Sequence, residues 1–208
     1  MNKQSPERKG YHHGNLKQAL VEATLSLIEE KGPTGFTLAE AARSAGVSAA
    51  APYRHFKGRE DLIAEVARQG YVLFAEQMEA AFDRGNPNPM AAFEAVGRAY
   101  LSFARDHAGY YIAMFESGVS IAGNYELNMV ANRAMAVQTQ AAEKLFEHMP
   151  ANQRPPATMV SYHIWAMSHG VVELFARGEP GRRAPFSPEE LLESGVGIYL
   201  RGLGLLPK

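Results

Sequence analysis

"FTLAEAARSAGVSAAAPYRHFKGREDLIAEV", residues 36–66, carries an explicit helix start, a helix stop, and a second start within two residues of that stop. Thr37 can cap a helix, Glu40 three positions on completes a capping box, and Phe36 before it can act as a hydrophobic staple. Leu38, Ala41, Ala42 and Ala45 then make a short apolar stripe. Gly46 suits the left-handed residue that ends this helix, Val47 can point inward, and Ser48 can cap a third helix at once. Counted from Ser48, Pro52 falls at the end of the first turn, where it removes one early hydrogen bond and does not break a helix interior. Two short helices joined by a three- to four-residue turn containing glycine are a helix-turn-helix, whose second helix enters the major groove of DNA. A plain helical hairpin has the same spacing, so spacing alone leaves that alternative open.

Working outward, the hydrophobic period stays helical nearly throughout. Leu16, Leu20, Ala23 and Leu27 form one face of a first helix that stops at Lys31-Gly32-Pro33. Glu60 and Asp61 favour the N-terminus of a long fourth helix reaching about Arg84. Further helices are expected over residues 90–107, 109–117, 124–148, 157–177 and 188–203. The last opens with Ser187-Pro188-Glu189-Glu190, a capping box with proline at the first helical position. The spacing predicts an all-α chain of about nine helices, without strand alternation or internal repeat.

With 208 residues, 46% of them hydrophobic, the chain can bury a substantial core. It contains no cysteine, which excludes disulfides, thiolate metal sites and cysteine nucleophiles. No apolar run reaches the roughly eighteen residues of a membrane span, and the polar start lacks a signal-peptide core, so a cytoplasmic protein with no membrane partner is expected. The net charge of -1 is unevenly placed. Residues 1–60 carry nine basic against six acidic side chains, and residues 61–208 carry twelve against sixteen. The excess of positive charge points to the N-terminal part as the one that meets a polyanion, although differences this small also arise by chance.

The 36–66 stretch, together with "GNLKQALVEATLSLIEEKGPTGF" before it, resembles the DNA-binding domain of the tetracycline-repressor (TetR) family. That resemblance covers residues 14–74. It implies that Thr37 and the start of its helix face a phosphate, that Ser48 caps the recognition helix, and that Tyr53, His55 and Lys57 touch the DNA backbone. The alternative for Tyr53 and His55 is that they close the small core with Phe56, which is itself assigned to the core. Ala49, Ala50 and Ala51 occupy the first turn of the recognition helix, where many relatives place hydrogen-bonding side chains. Their methyl groups can pack on a thymine methyl but cannot read donors or acceptors. Close approach would leave discrimination to other residues and to DNA shape. Residues 1–13 supply one candidate, a basic and aromatic arm expected to be flexible, in which Arg8, Lys9, Tyr11, His12 and His13 suit phosphates or a minor groove. The paired histidines lack a third ligand for a metal.

Residues 75–208 resemble the ligand-binding and dimerisation region of the same family. "IWAMSHGVVELFARG" resembles the C-terminal type called WHG, after Trp165, His169 and Gly170, and "YLSFARDHAGYYIAMFESG" looks like its companion segment. Trp165 and His169 are four apart and share a helix face. With Tyr100, Phe103, His107, Tyr111, Met114 and Phe115 they can line a mostly apolar cavity with a few polar handles, or they can be ordinary core. The helix at 157–177 is apolar on more than one face, and Gly195, Gly197 and Gly202 permit close backbone approach in the last helix. The family implies that these two helices build a four-helix bundle across a two-fold axis.

The resemblance therefore implies a homodimeric, ligand-released repressor that needs no cofactor or metal and is not an enzyme. Its partners would be a double-stranded DNA operator, with half-sites roughly 34 Å apart, and an apolar or aromatic small-molecule effector. An activator of the same family, a helical metal protein using His169, Glu173 and His107, and a DNA-compacting protein without effector are the rival expectations.

Overall fold

The computed structural model describes residues 16–177 and 185–207. Among these residues the chain forms eight α-helices: α1 (Leu16–Lys31), α2 (Leu38–Ser44), α3 (Arg59–Phe82), α4 (Pro89–Asp106), α5 (Ala108–Phe115), α6 (Tyr125–Phe146), α7 (Ala157–Val171) and α8 (Pro188–Gly202). The element orders follow from local chemistry. The Thr37–Glu40 capping box is complete, with the Glu40 amide donating to Thr37 Oγ1 at 3.2 Å and the Thr37 amide to Glu40 Oε2 at 2.9 Å. The Ser187–Glu190 box at α8 is complete in the same way. Asn88 and Asn124 cap α4 and α6 through their side-chain carbonyls. Helix α2 ends in a Schellman arrangement: Gly46 sits at φ +73°, its N–H donates to Arg43, and the Val47 N–H donates to Ala42.

The expected third helix, opened by Ser48, is not an α-helix. Ala51–Arg54 forms a single 3-10 turn, and Ser48 makes no side-chain cap on it. The reason lies at Pro52, which has no N–H to donate back to Ser48. The Ser48 carbonyl is left for the Ala51 N–H at 3.0 Å, and the segment tightens to i→i+3 bonding. The helix expected over 157–177 also divides. Regular α7 ends at Val171, and Val172–Ala176 continues as a wider π-type turn.

Helices α1 and α2 with the 3-10 turn pack into a small head, whose core includes Leu20, Ile28, Phe36, Ala41 and Phe56. The 24-residue α3 starts in this head and runs into the body, where it packs against α4, α5 and α6. Arg59 fixes its start by donating to the Thr34 carbonyl at 2.9 Å. Helices α7 and α8 close the far side of the body against α4 and α6. No helix among the described residues is long and apolar enough to cross a membrane.

Candidate nucleic-acid interface and body cavity

The head exposes Thr37, Ser48, Ala49, Ala50, Tyr53, His55 and Lys57, while Ala51 is half-buried. Tyr53 is 65% exposed and Phe56 only 4%, so the two aromatics divide as surface and core, and Tyr53 does not close the core. Arg43 and Arg54 are exposed on the same segment and form no ion pair among the described residues, leaving two cationic side chains free for phosphates. They were legible as basic residues flanking the turn, but not as residues free of acidic neighbours. Lys57 turns its backbone N–H to Asp61 Oδ2 at 3.0 Å, which fixes the entry to α3 and leaves its ammonium outside. Glu40 is held at about 2, far below the ordinary carboxylate value, chiefly by the Thr37 backbone N–H and then by Lys31. The cap that aims the start of α2 outward is therefore charged at any physiological pH. Arg8, Lys9, Tyr11, His12 and His13 lie outside the described residues.

In the body, four of the singled-out residues meet in one hydrogen-bonded chain. The Trp165 indole donates to Tyr100 Oη at 3.1 Å, and His169 Nδ1 lies 3.0 Å from Tyr100 Oη and 2.8 Å from Tyr111 Oη. Burial raises both tyrosines above the ordinary phenol range, so their hydroxyls stay protonated donors. The turn that follows α7 is tied to α5 as well: Arg177 pairs with Glu116, just past the end of α5, and its guanidinium lies 5.0 Å from the centre of the Tyr111 ring.

Beside this chain a cavity of about 130 Å³ opens between α3, α4, α6 and α7. Tyr100, Phe115 and Trp165 line it, joined by Tyr71 and Phe74 of α3 and by Ala134, Met135 and Gln138 of α6. Of the residues expected to line a cavity, Phe103, His107, Tyr111, Met114 and His169 are not in this wall; Tyr111 and His169 lie behind it, in the hydrogen-bonded chain through Tyr100. Phe103 is fully buried, 4.8 Å from Phe74, and His107 forms the corner between α4 and α5 with its ring 5.2 Å from Phe103. Met114 fills the place where Gly70 lets α5 approach α3. Tyr100 and Phe103 are only three apart on α4, yet one faces the cavity and the other the core, a distinction set by neighbouring helices and invisible in spacing. A second cavity, of about 160 Å³, lies between α4, α7 and α8, rimmed by Glu94, Arg98, Glu189 and Glu193. Arg98 already pairs there with Glu94 and Glu193. Among the described residues no group of three His, Cys, Asp or Glu side chains is arranged to hold a metal.

Head and body touch through α5. The Gly109 N–H, at its start, donates to Glu29 Oε1 of α1 at 3.0 Å, and Phe115, at its end, lines the cavity. Glu65 of α3 ties the same head helix by a 3.1 Å ion pair with Lys17.

A capped helix, a glycine turn and an exposed basic segment, carried on a helical body with an internal cavity, define a helix-turn-helix regulator. Comparison with known proteins agrees. Residues 20–66 match the model for bacterial regulatory proteins of the tetR family, and residues 93–199 match that for the tetracyclin repressor-like C-terminal domain. The chain belongs to the TetR family of DNA-binding transcriptional regulators. It is 23% identical over 194 residues to the HTH-type transcriptional regulator YobS of Bacillus subtilis strain 168, spanning 91% of this chain and 93% of that protein. Among solved structures, a protein of unknown function from Rhodococcus sp. RHA1 superposes with a TM-score of 0.77 at 26% identity, over 94% of this chain and 98% of the other. AibR in complex with isovaleryl coenzyme A and operator DNA gives 0.65 at 19% identity, over 88% and 96%.

Proposed function

We propose that this chain is a cytoplasmic, homodimeric repressor without enzymatic activity, released from its operator when a small molecule fills the cavity between α3, α4, α6 and α7. The observation that carries this is the position of α5, which has Phe115 in the cavity wall and Gly109 hydrogen-bonded to α1 of the head. A ligand pressing on Phe115 moves a helix whose other end holds the head, and so changes the separation of the two heads of a dimer. The structural likeness to AibR, whose complex contains both a ligand and operator DNA, supports the same kind of coupling.

Residues 14–74 would act as the DNA-binding unit, with the 1–13 arm as a further reader, and residues 75–208 as the effector and dimer unit. Thr37, Tyr53, His55, Lys57, Arg43 and Arg54 would contact phosphates, and the alanines 49–51 would let the 3-10 turn lie close to the groove floor. Dimerisation through α7 and α8 is supported by large apolar side chains left in solvent, with Tyr162 53%, Met159 55% and Ile198 63% exposed.

The test is binding to duplexes from the DNA flanking the protein's own gene, measured by fluorescence anisotropy over a salt series. Affinity should fall steeply with salt, and Tyr53→Ala should weaken binding to operator and scrambled duplex alike. An affinity that ignores salt and the Tyr53 substitution would remove the head from the interface.

A further inference from the structure

Half of the side chains around the cavity between α3, α4, α6 and α7 are aromatic: Tyr71, Phe74, Tyr100, Phe115, Tyr162 and Trp165. Their rings do not lie flat in one layer. Phe115 stands at 60° to Trp165 and at 73° to Tyr71, with centroids 6.4 and 5.8 Å apart. Tyr162 lies within 28° of the Trp165 plane, 6.2 Å away, so the wall turns a corner between Phe115 and this pair. Tyr71, Phe74 and Tyr100 are the buried part of the wall, while Phe115 and Trp165 are half-buried and Tyr162 is exposed.

The interior of this wall has little hydrogen-bonding capacity left. The Trp165 N–H is already donated to Tyr100 Oη, which also lies 3.0 Å from His169 Nδ1. Tyr71 Oη and Gln138 Oε1 have no partner, but they have essentially no accessible surface and a guest cannot reach them. Among the described residues no Lys, Arg, His, Asp or Glu lines the cavity. An anion would lose its hydration there and meet the negative faces of rings. A primary ammonium would strand three N–H donors that need acceptors. The charge behind the wall has the opposite sign to a cation. Glu173 Oε1 is buried without a hydrogen bond; Arg177 lies 3.8 Å from it and pairs more closely with Glu116, so two carboxylates share one guanidinium. That surplus is felt in the wall: burial is the main cause that holds the Tyr100 hydroxyl above the ordinary phenol range, and the charge of Glu173 adds to it. Residues 61–208 as a whole carry sixteen acidic against twelve basic side chains, a field that also favours a cation.

We infer that the cavity takes a small quaternary ammonium cation, whose methyl groups pack into the corner formed by Phe115, Trp165 and Tyr162. Such a cation has no N–H to leave stranded and is weakly hydrated. It gains from each ring face it meets, by an attraction that strengthens as water is excluded. A dry cavity of about 150 Å³ holds a benzene ring; at about 130 Å³ this one suits a trimethylammonium head. The inference rests on the effector role assigned above and narrows it.

The experiment uses the full-length protein and four probes: choline, its uncharged carbon isostere 3,3-dimethylbutan-1-ol, the anion 3,3-dimethylbutanoate, and ethanolamine as the primary ammonium. Binding is read by calorimetry and by emission of Trp165, the sole tryptophan and itself part of the wall. Choline should bind saturably, and each of the other three about tenfold or more weaker. Choline and its isostere share one shape, so the ratio of their affinities reads the charge and cancels packing. Phe115→Leu removes a ring face and should lower that ratio about fivefold. Glu173→Gln removes the charge behind the wall and should lower it about threefold. A merely structural role for these side chains weakens both probes equally and leaves the ratio unchanged, and that result overturns the inference. Equal or tighter binding of the isostere, the anion or ethanolamine, or no binding of choline, overturns it as well. Choline binding with the stated substitution pattern but without any loss of operator affinity would uphold the guest class and overturn the effector role.

Discussion

Replacing Gly109 by alanine tests the junction between head and body. A methyl group there would sit 2.8 Å from Glu29 Oε1 and 3.1 Å from Leu25 Cδ2. The carboxylate is the end of a flexible chain and can swing away, but doing so breaks the 3.0 Å bond from the Gly109 N–H. A hydrogen bond to a partly buried charged acceptor is worth about 1.5 kcal/mol. The Leu25 methyl must also yield by a few tenths of an ångström, a mild form of overpacking. Alanine's helix preference returns about 0.5 to 1 kcal/mol, so the repulsive side wins by about 1 kcal/mol. For a chain of this size that lowers the melting temperature by about 2 to 4 °C. The sharper assay is a double-mutant cycle followed by thermal and chemical unfolding. In a Glu29→Ala background the carboxylate and the bond are both gone and only the Leu25 contact remains, so Gly109→Ala should become close to neutral. The expected coupling is about 1 kcal/mol. Additive effects would show that Gly109 and Glu29 do not sense one another and would refute the α5 route from cavity to head.

Two further outcomes follow from the packing and the charges. Phe103→Ala should cost about 3 to 5 kcal/mol in chemical denaturation, since the ring is fully buried against Phe74; a loss below about 1 kcal/mol would return Phe103 to a cavity wall. Burial pushes the Glu65 carboxyl upward, but hydrogen bonds from Arg68, Gln69 and Lys17 outweigh it and hold the group at about 2, against an ordinary 4.5. Because the folded value is depressed, its contribution is complete above about pH 4.5 and disappears as pH falls toward 2. Unfolding free energy measured across that window should fall less steeply in Glu65→Gln, by about 1 kcal/mol after solvent screening; identical slopes would discount the Lys17–Glu65 tie.

Features that depend on neighbours in sequence were legible. Thr37 with Glu40, Ser187 with Glu190, and Gly46 between Arg43 and Val47 close short hydrogen-bonded rings, so composition and spacing determine them. The segment after Ser48 was misjudged by the same local logic, because a good cap residue was weighed above the missing proline N–H four positions on. The division of aromatic residues between cavity and core was not legible. Tyr71 and Phe74 on α3 look alike as apolar positions, and only the packing of α4, α5 and α6 onto them decides which atoms go unserved. Gln138 did carry a signal, standing as one amide within the buried stripe of Ala134, Val137, Ala141 and Leu145.

The mechanics of release follow from how tightly α5 is seated. On one side a Cβ at Gly70 of α3 would meet Met114 Sδ at 2.8 Å and Tyr110 Cβ at 3.1 Å; on the other, Gly109 lies against Leu25 and Glu29 of α1. Glycine at both contacts brings the helices nearer than any side chain would allow. A packed interior at that distance transmits displacement instead of absorbing it, and short helices respond by shifting as units. Helix α5 has eight residues, about 12 Å from end to end. On the proposed reading, a guest that pushed Phe115 outward would act on Gly109 through a rigid rod two turns long. The Glu29 bond would make α1 follow, and α3, tied to it by Lys17–Glu65, would serve as the pivot. The head can then reorient without unfolding any helix, at the cost of rearranging contacts whose individual worth is near 1 kcal/mol. That is the scale of a typical coupling between two binding sites, about 1 to 3 kcal/mol.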